Sequence, residues 1–190
     1  MKKIIFLSVS AFLLSTVLTS CASKKATNQA VGDIEIKIPC ADFRSDKNYF
    51  RATQSFESPD LGSSRENALM QAKSRLSGLI QTQMKSVAER YAADRKIDGK
   101  SEFNEKVERT TREIINQALY DIATPCEKTL QKSNGNYNTF VAVECSKETI
   151  YNGVDKSLSK DAKLRQDYDQ QKFRGVFEEE MEKLEKEQNK

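Results

Sequence analysis

Residues 120–145 read YDIATPCEKTLQKSNGNYNTFVAVEC. Two runs rich in strand-forming residues flank Asn134-Gly135, a dipeptide that favours the left-handed backbone of a two-residue type I′ turn. The spacing predicts a hairpin of Tyr120–Gln131 with Tyr137–Cys145. In the returning strand Val141, Val143 and Cys145 share one face, and Phe140, Ala142 and Glu144 share the other. Pro125 has no N–H to give to a ladder, so the first strand is expected at a sheet edge or bulged at that point. A turn centred on Asn134-Gly135 sets Cys126 opposite Val143.

Working upstream, Asp33–Ile38 alternates, with Ile34, Ile36 and Ile38 on one side, and Pro39 ends the run. Lys47–Phe56 alternates as well: Phe50, Ala52, Gln54 and Phe56 face one way, and Tyr49, Arg51, Thr53 and Ser55 the other. Both have the period of half-buried strands. Ser58-Pro59-Asp60 then signals a helix start, with Ser58 as N-cap, Pro59 at the first helical position and Asp60 near the positive end. Ser63 and Glu66 offer a capping box a little further on. The helix carries an apolar stripe of Leu61, Ala68, Leu69, Ala72, Leu76, Leu79, Ile80, Met84, Val87, Ala88 and Tyr91. Gly78 inside it costs about 1 kcal/mol relative to Ala and is expected to let a neighbour pack closely. Ile97-Asp98-Gly99-Lys100 is a turn, after which Ser101 is expected to cap a second helix to about Leu119. Its buried face holds Phe103, Val107, Thr111, Ile114, Ile115 and Ala118. A charged helix is expected from about Ser159, which can cap it. The order β-β-α-α-β-β predicts an α+β fold: an antiparallel sheet of three to four strands packed on one long and one shorter helix, plus a C-terminal helix.

The start of the chain has the pattern of an address. Lys2 and Lys3 precede an apolar run from Ile4 to Leu18, which suits a signal peptide and falls short of the ~20 residues a membrane-spanning helix needs. Leu18-Thr19-Ser20-Cys21 resembles the lipobox of bacterial lipoproteins. The resemblance implies diacylglycerol on the Cys21 sulfur, cleavage before it and acylation of the new amino terminus. Two or more acyl chains are enough for stable anchoring. Residues 22–32 are small and polar and read as a flexible tether with a span of about 18 Å. The expected organisation is a signal peptide over 1–20, a lipidated tether over 21–32, an α+β domain over 33–153 and a charged C-terminal helix over 154–190. Loss of Lys2 and Lys3 leaves 29 basic against 28 acidic residues, a formal charge of +1 in place of +3. No basic footprint for nucleic acid remains. The expected location is the cell envelope, with the lipid in the outer membrane and the domain on its periplasmic side.

A wider resemblance rests on Phe50-Arg51-Ala52, Ser58-Pro59-Asp60, Arg65, Ala68, Ala72, Arg75, Leu76 and Ile80, then Gly135-Asn136-Tyr137 and Val141-Ala142-Val143-Glu144. Over residues 40–150 the chain resembles the Lpp-twenty family of envelope lipoproteins. That resemblance implies a short antiparallel sheet on a long helix, held to a membrane by lipid. It supplies no catalytic residues. The second helix, Ser101–Leu119, and the tail after Gly153 depart from the family's minimal pattern.

The side-chain inventory narrows the chemistry. Of 190 residues none is His or Trp. Ser-His and Cys-His catalysis are excluded, as is any metal site that needs imidazole. A Ser-Lys pair stays chemically open, but Lys73, Ser74 and Ser77 lie on a helix without a Gly-rich elbow. No Cys-x-x-Cys pair is present, so neither a metal site nor a cofactor is expected. With Cys21 lipidated, Cys40, Cys126 and Cys145 are left for an oxidising compartment. They allow three pairings or none. The hairpin register disfavours Cys126 with Cys145, so Cys40–Cys126 is the preferred disulfide and Cys145 a buried thiol, with all three reduced as the alternative. In the tail, Phe173, Val176, Phe177, Met181 and Leu184 form a narrow apolar stripe. It can fold back on the domain, or serve as the contact for an envelope protein or a second copy of the chain. The expected function is a lipid-anchored, non-enzymatic module that is structural, self-associating or protein-binding. The alternative is a carrier of a lipid or other small apolar ligand, in a cavity opened by small residues such as Ala68, Ala72 and Gly78.

Overall fold

A computed structural model describes residues 36–166 and 168–188. The segments read as a signal peptide and a tether, with Cys21 between them, and Asp33–Glu35 lie outside the described residues. The elements are β1 (Tyr49–Ser58), α1 (Leu61–Asp94), α2 (Lys100–Ala118), β2 (Ala123–Gln131), β3 (Tyr137–Ser146), α3 (Lys147–Lys160) and α4 (Gln170–Gln188). The sheet is antiparallel, in the order β1-β3-β2. The α+β architecture expected from the sequence is therefore present, with the long helix and the C-terminal helix in place.

The alternating segment before Pro39 does not form a strand where it is described. Residues 36–38 are irregular, and Ile36 and Ile38 are exposed. The outer edge of β1 is already occupied: the Arg51 N–H donates to Ser45 Oγ at 2.9 Å, and Ser45 Oγ donates back to the Arg51 carbonyl at 3.3 Å. A buried serine thus takes the place of a fourth strand there. At the opposite edge, β2 is exposed along nearly its whole length, and its register shifts between Ala123 and Cys126, around Pro125. A bulge and a proline both protect a free edge from pairing with another chain.

The hairpin turn corrects the expected register. Gly135 has φ 87°, whereas Asn134 does not have positive φ. The Gly135 N–H donates to Lys132 O at 2.9 Å, and the Lys132 N–H donates to Asn136 O at 2.8 Å. This is a three-residue loop closed by a left-handed glycine, the second common solution for a hairpin. It places Cys126 opposite Ala142, not Val143.

Helix α1 starts between the two positions its sequence signals offer, Ser58 and the Ser63 capping box. Ser58 ends β1, and Asp60 is the N-cap, its Oδ1 accepting the Ser63 N–H at 2.7 Å. Leu61 is exposed. The buried positions 64, 68, 72, 76, 80, 84, 88 and 92 advance in steps of four. Each such step turns the buried face by about 40°, so it winds by about 280° along the helix. The first half accordingly faces the sheet and the second half faces other helices. Ser64 marks the first: its Oγ donates within 2.9 Å of Phe56 O and 2.8 Å of Thr139 Oγ1, and Thr129 and Thr139 share a bond of 2.9 Å. Tyr91 marks the second, with ring centroids 5.3 Å from both Phe103 of α2 and Phe173 of α4.

Helix α2 is capped by Gly99 without a side-chain bond, and Ser101 lies inside it with its hydroxyl on Glu105. Helix α3 is absent from the sequence expectation. Ser146 caps it, accepting the Thr149 N–H, and Ile150, Tyr151, Val154 and Leu158 are buried. It spans residues 153 and 154, where the sequence suggests a domain ends and a tail begins. Ser159 sits in its last turn rather than capping a new helix. Helix α4 starts after Asp169, whose Oδ1 accepts the Lys172 N–H at 3.1 Å.

Candidate functional site

The tail residues expected to meet a partner are not on the surface. Phe173, Val176, Phe177, Met181 and Leu184 are all buried in the chain's own core. Phe173 touches Tyr91, Tyr151 and Tyr168, and Tyr151 also meets Phe177 at 5.3 Å. Aromatic edges and faces packed in this way cover apolar surface that an isolated charged helix would leave in water. The stripe folds back, and the partner surface proposed for it is corrected accordingly.

Cys40 and Cys126 form a disulfide, and Cys145 is free and buried. Burial pushes the Cys145 thiol above its ordinary pKa. Cys40 has φ 60°, and its segment lies on the outer face of the sheet, where Thr53 Oγ1 donates to Cys40 O at 3.3 Å. The two cysteines stand 86 residues apart, so the bond staples the entry of the chain to the edge strand. Beside it, Arg51 pairs with Asp46 and, at 2.7 Å, with Glu144 across the strands.

Two of the residues weighed for a Ser-Lys reaction, Lys73 and Ser77, have other partners. Lys73 Nζ donates to Leu119 O at 2.9 Å, and Ser77 Oγ accepts from Gln81. Ala68 and Ala72 are fully buried against the sheet, while Gly78 lies on the exposed side with nothing near its missing Cβ. The small residues of α1 therefore serve close packing or face water.

A sizeable cleft lies away from α1. It measures about 640 Å³ and runs between the start of β1, the β3–α3 corner and α4. Lys147 is at its foot and is 3% exposed. Lys147 occupies a stripe position of α3, three and four residues before buried Ile150 and Tyr151. That spacing is the signal by which the sequence could have revealed a buried lysine. Its backbone N–H donates to Asn48 O at 2.9 Å, which ties α3 to β1. Among the described residues its ammonium has one hydrogen-bond acceptor, Met181 O at 3.5 Å, and one aromatic face, Phe50 at 5.5 Å. Burial pulls the ammonium below the ordinary lysine range, partly offset by the charges of Glu185 and Asp46.

The cleft wall on the α4 side is acidic. Arg174 spans it, bonding Glu148 at 2.8 Å and Glu178 at 2.7 Å and stacking over Tyr151. Lys186 takes Glu182 at 2.6 Å. Glu185 and Lys47 form no ion pair among the described residues. Phe177 and Met181 supply the apolar wall. One end is held by the helix terminus, where Arg44 donates to Gln188 O and the Ser45 N–H to Gln188 Oε1. The arrangement can take an anionic group at its foot and a cationic one along α4.

No described helix is long and apolar enough to cross a membrane, and no group of potential metal ligands was found among the described residues. No family model, curated protein or solved structure matches the chain.

Proposed function

We propose that this chain is a lipid-anchored envelope protein of the Lpp-twenty kind, tethered through Cys21, that acts as a non-catalytic protein-binding module. The observation that carries the reading is the Cys40–Cys126 disulfide. Structural disulfides persist in oxidising compartments outside the cytoplasm, which is where the signal peptide and lipobox would send the chain. The filled interface between α1 and the sheet, with Phe50, Leu76, Val141 and Val143 all fully buried, favours a binding module over a carrier of apolar ligands. The outer membrane, with the folded unit on the periplasmic side, is the location proposed.

The test is fractionation of cells fed a labelled fatty acid. The intact chain is expected to carry label and to sediment with membranes. Cys21→Ala is expected to carry none and to lose its membrane anchorage. A Cys21→Ala chain that remains acylated and membrane-bound would overturn the reading.

A further inference from the structure

Lys147 poses an energetic problem. A buried ammonium loses its hydration and recovers it only through close acceptors. Here it has a single carbonyl at 3.5 Å and a ring face, against three N–H donors. It also lines the cleft of about 640 Å³ between β1, α3 and α4. Nothing in the packing of α3 requires a charge at this position, since the rest of the stripe is Ile150, Tyr151, Val154 and Leu158.

The charges around it narrow the occupant. Arg174 is committed to Glu148 and Glu178, and Glu182 to Lys186. Besides Lys47, Lys147 and Glu185 are left in one cleft as a cation and an anion without a direct ion pair, although the Glu185 charge acts on Lys147. A multiply charged anion would be repelled by the glutamates of α4. A single carboxylate flanked by an amine matches both groups. A volume of about 640 Å³ is within the range that holds several residues of peptide.

We propose that this cleft captures the C-terminal carboxylate of a short peptide, with Lys147 taking the carboxylate at the foot and Glu185 taking an ammonium group of the same peptide. Capture of a chain terminus is an established mode of peptide recognition. The inference rests on the protein-binding reading and gives that partner its chemistry. Phe177 and Met181 pack the aliphatic part of the peptide between the two charges.

The experiment is calorimetric titration of the purified full chain in detergent with the tripeptide Gly-Gly-Lys and with its C-terminal amide. The free acid is expected to bind, and the amide to bind about tenfold or more weakly, as loss of one charge-assisted contact requires. Lys147→Met is expected to reproduce that loss while the thermal midpoint stays level or rises, because an apolar side chain removes the burial cost. Glu185→Gln, a nearly isosteric change at a half-buried position of α4, is expected to weaken Gly-Gly-Lys but not Gly-Gly-Gly. Equal binding of acid and amide, or no binding of the acid up to about 10 mM, would overturn the proposal. So would a Lys147→Met chain that loses stability, since the lysine would then be structural. The comparison of acid with amide and the Glu185→Gln arm need no change at Lys147. None of these outcomes alters membrane attachment, so failure here is distinguishable from failure of the anchored-module reading.

Discussion

Gly153 of α3 faces Ile114 of α2 so closely that a Cβ on the glycine would stand 2.4 Å from Ile114 Cδ1 and 2.9 Å from Cγ1. The two helices meet at this point because one of them has no side chain. Gly153→Ala should therefore destabilise the protein by about 1–3 kcal/mol, the usual cost of overpacking, although alanine is the better helix former. Urea denaturation measures it. Combining the change with Ile114→Ala should cost less than the sum of the two single changes, by about 0.5 kcal/mol or more. A Gly153→Ala protein as stable as the parent would contradict the contact.

Gly78 is the opposite case. It is exposed in the middle of α1 and has nothing within 4 Å of its missing Cβ. Gly78→Ala should stabilise by up to about 1 kcal/mol through helix propensity alone. The same denaturation experiment reports it as a rise in midpoint with an unchanged slope.

The contrast between these glycines explains much of what the sequence conceals. Periodicity finds β1, α1, α2 and the hairpin, because each buries one face at a regular spacing, but it also suggests a strand before Pro39 that residues 36–38 do not form. It does not say which glycine is crowded. Gly153 looks like a stop signal, so α3 is missed, even though Ser146, Ile150, Tyr151 and Val154 announce a helix around it. The apolar stripe of α4 is legible, but a stripe alone does not reveal whether its cover is this chain or another. The aromatic rings that cover it come from Tyr91 and Tyr151, 82 and 22 residues before Phe173. The Cys40–Cys126 pair follows from disfavouring Cys145, although the register used for that argument is one residue out. The spacing of Lys147 before Ile150 and Tyr151 carries a signal for a buried lysine, but its cleft is not legible, since the cleft needs β1, α3 and α4 to converge.

Removing the Cys40–Cys126 bond should cost up to about 4.5 kcal/mol. A loop of 86 residues is closed in the unfolded chain, and its entropy returns when both cysteines become alanine. The denaturant midpoint of Cys40→Ala/Cys126→Ala should fall accordingly. Alkylation of the native protein should leave Cys145 unmodified, since it is buried and its thiol resists ionisation. Rapid labelling of Cys145 in the folded chain would contradict its position.

Lys96 ends α1 in the left-handed conformation, with φ 54°. Its N–H donates to Ala93 O, and the next N–H, from Ile97, donates to Ala92 O, both at 3.2 Å. These paired bonds define a Schellman cap, whose left-handed position favours glycine. A lysine there carries a backbone cost of about 1–2 kcal/mol. Lys96→Gly should recover part of it, about 0.5–1 kcal/mol after the extra freedom of glycine in the unfolded chain is counted. Lys96→Val should move the midpoint the other way.

Glu57 gives the fold a defined response to acid. Its carboxylate accepts from Lys132 at 2.5 Å and from Asn136 at 2.9 Å, joining the end of β1 to the hairpin loop. The Lys132 and Asn136 bonds hold its pKa at about 2, against an ordinary 4.5. The folded state thus keeps this carboxylate charged where the unfolded chain would protonate it. The stabilisation is fully present above pH 4.5 and is lost as the pH falls from there through about 2. Carbon-detected titration of the Glu57 carboxyl should show a midpoint near 2 in the intact chain. In Lys132→Met it should move up toward the ordinary value, and Glu57→Gln should flatten the stability profile over the same interval. A Glu57 midpoint near 4.5 in the intact protein would mean that the loop is not tied to β1 in solution.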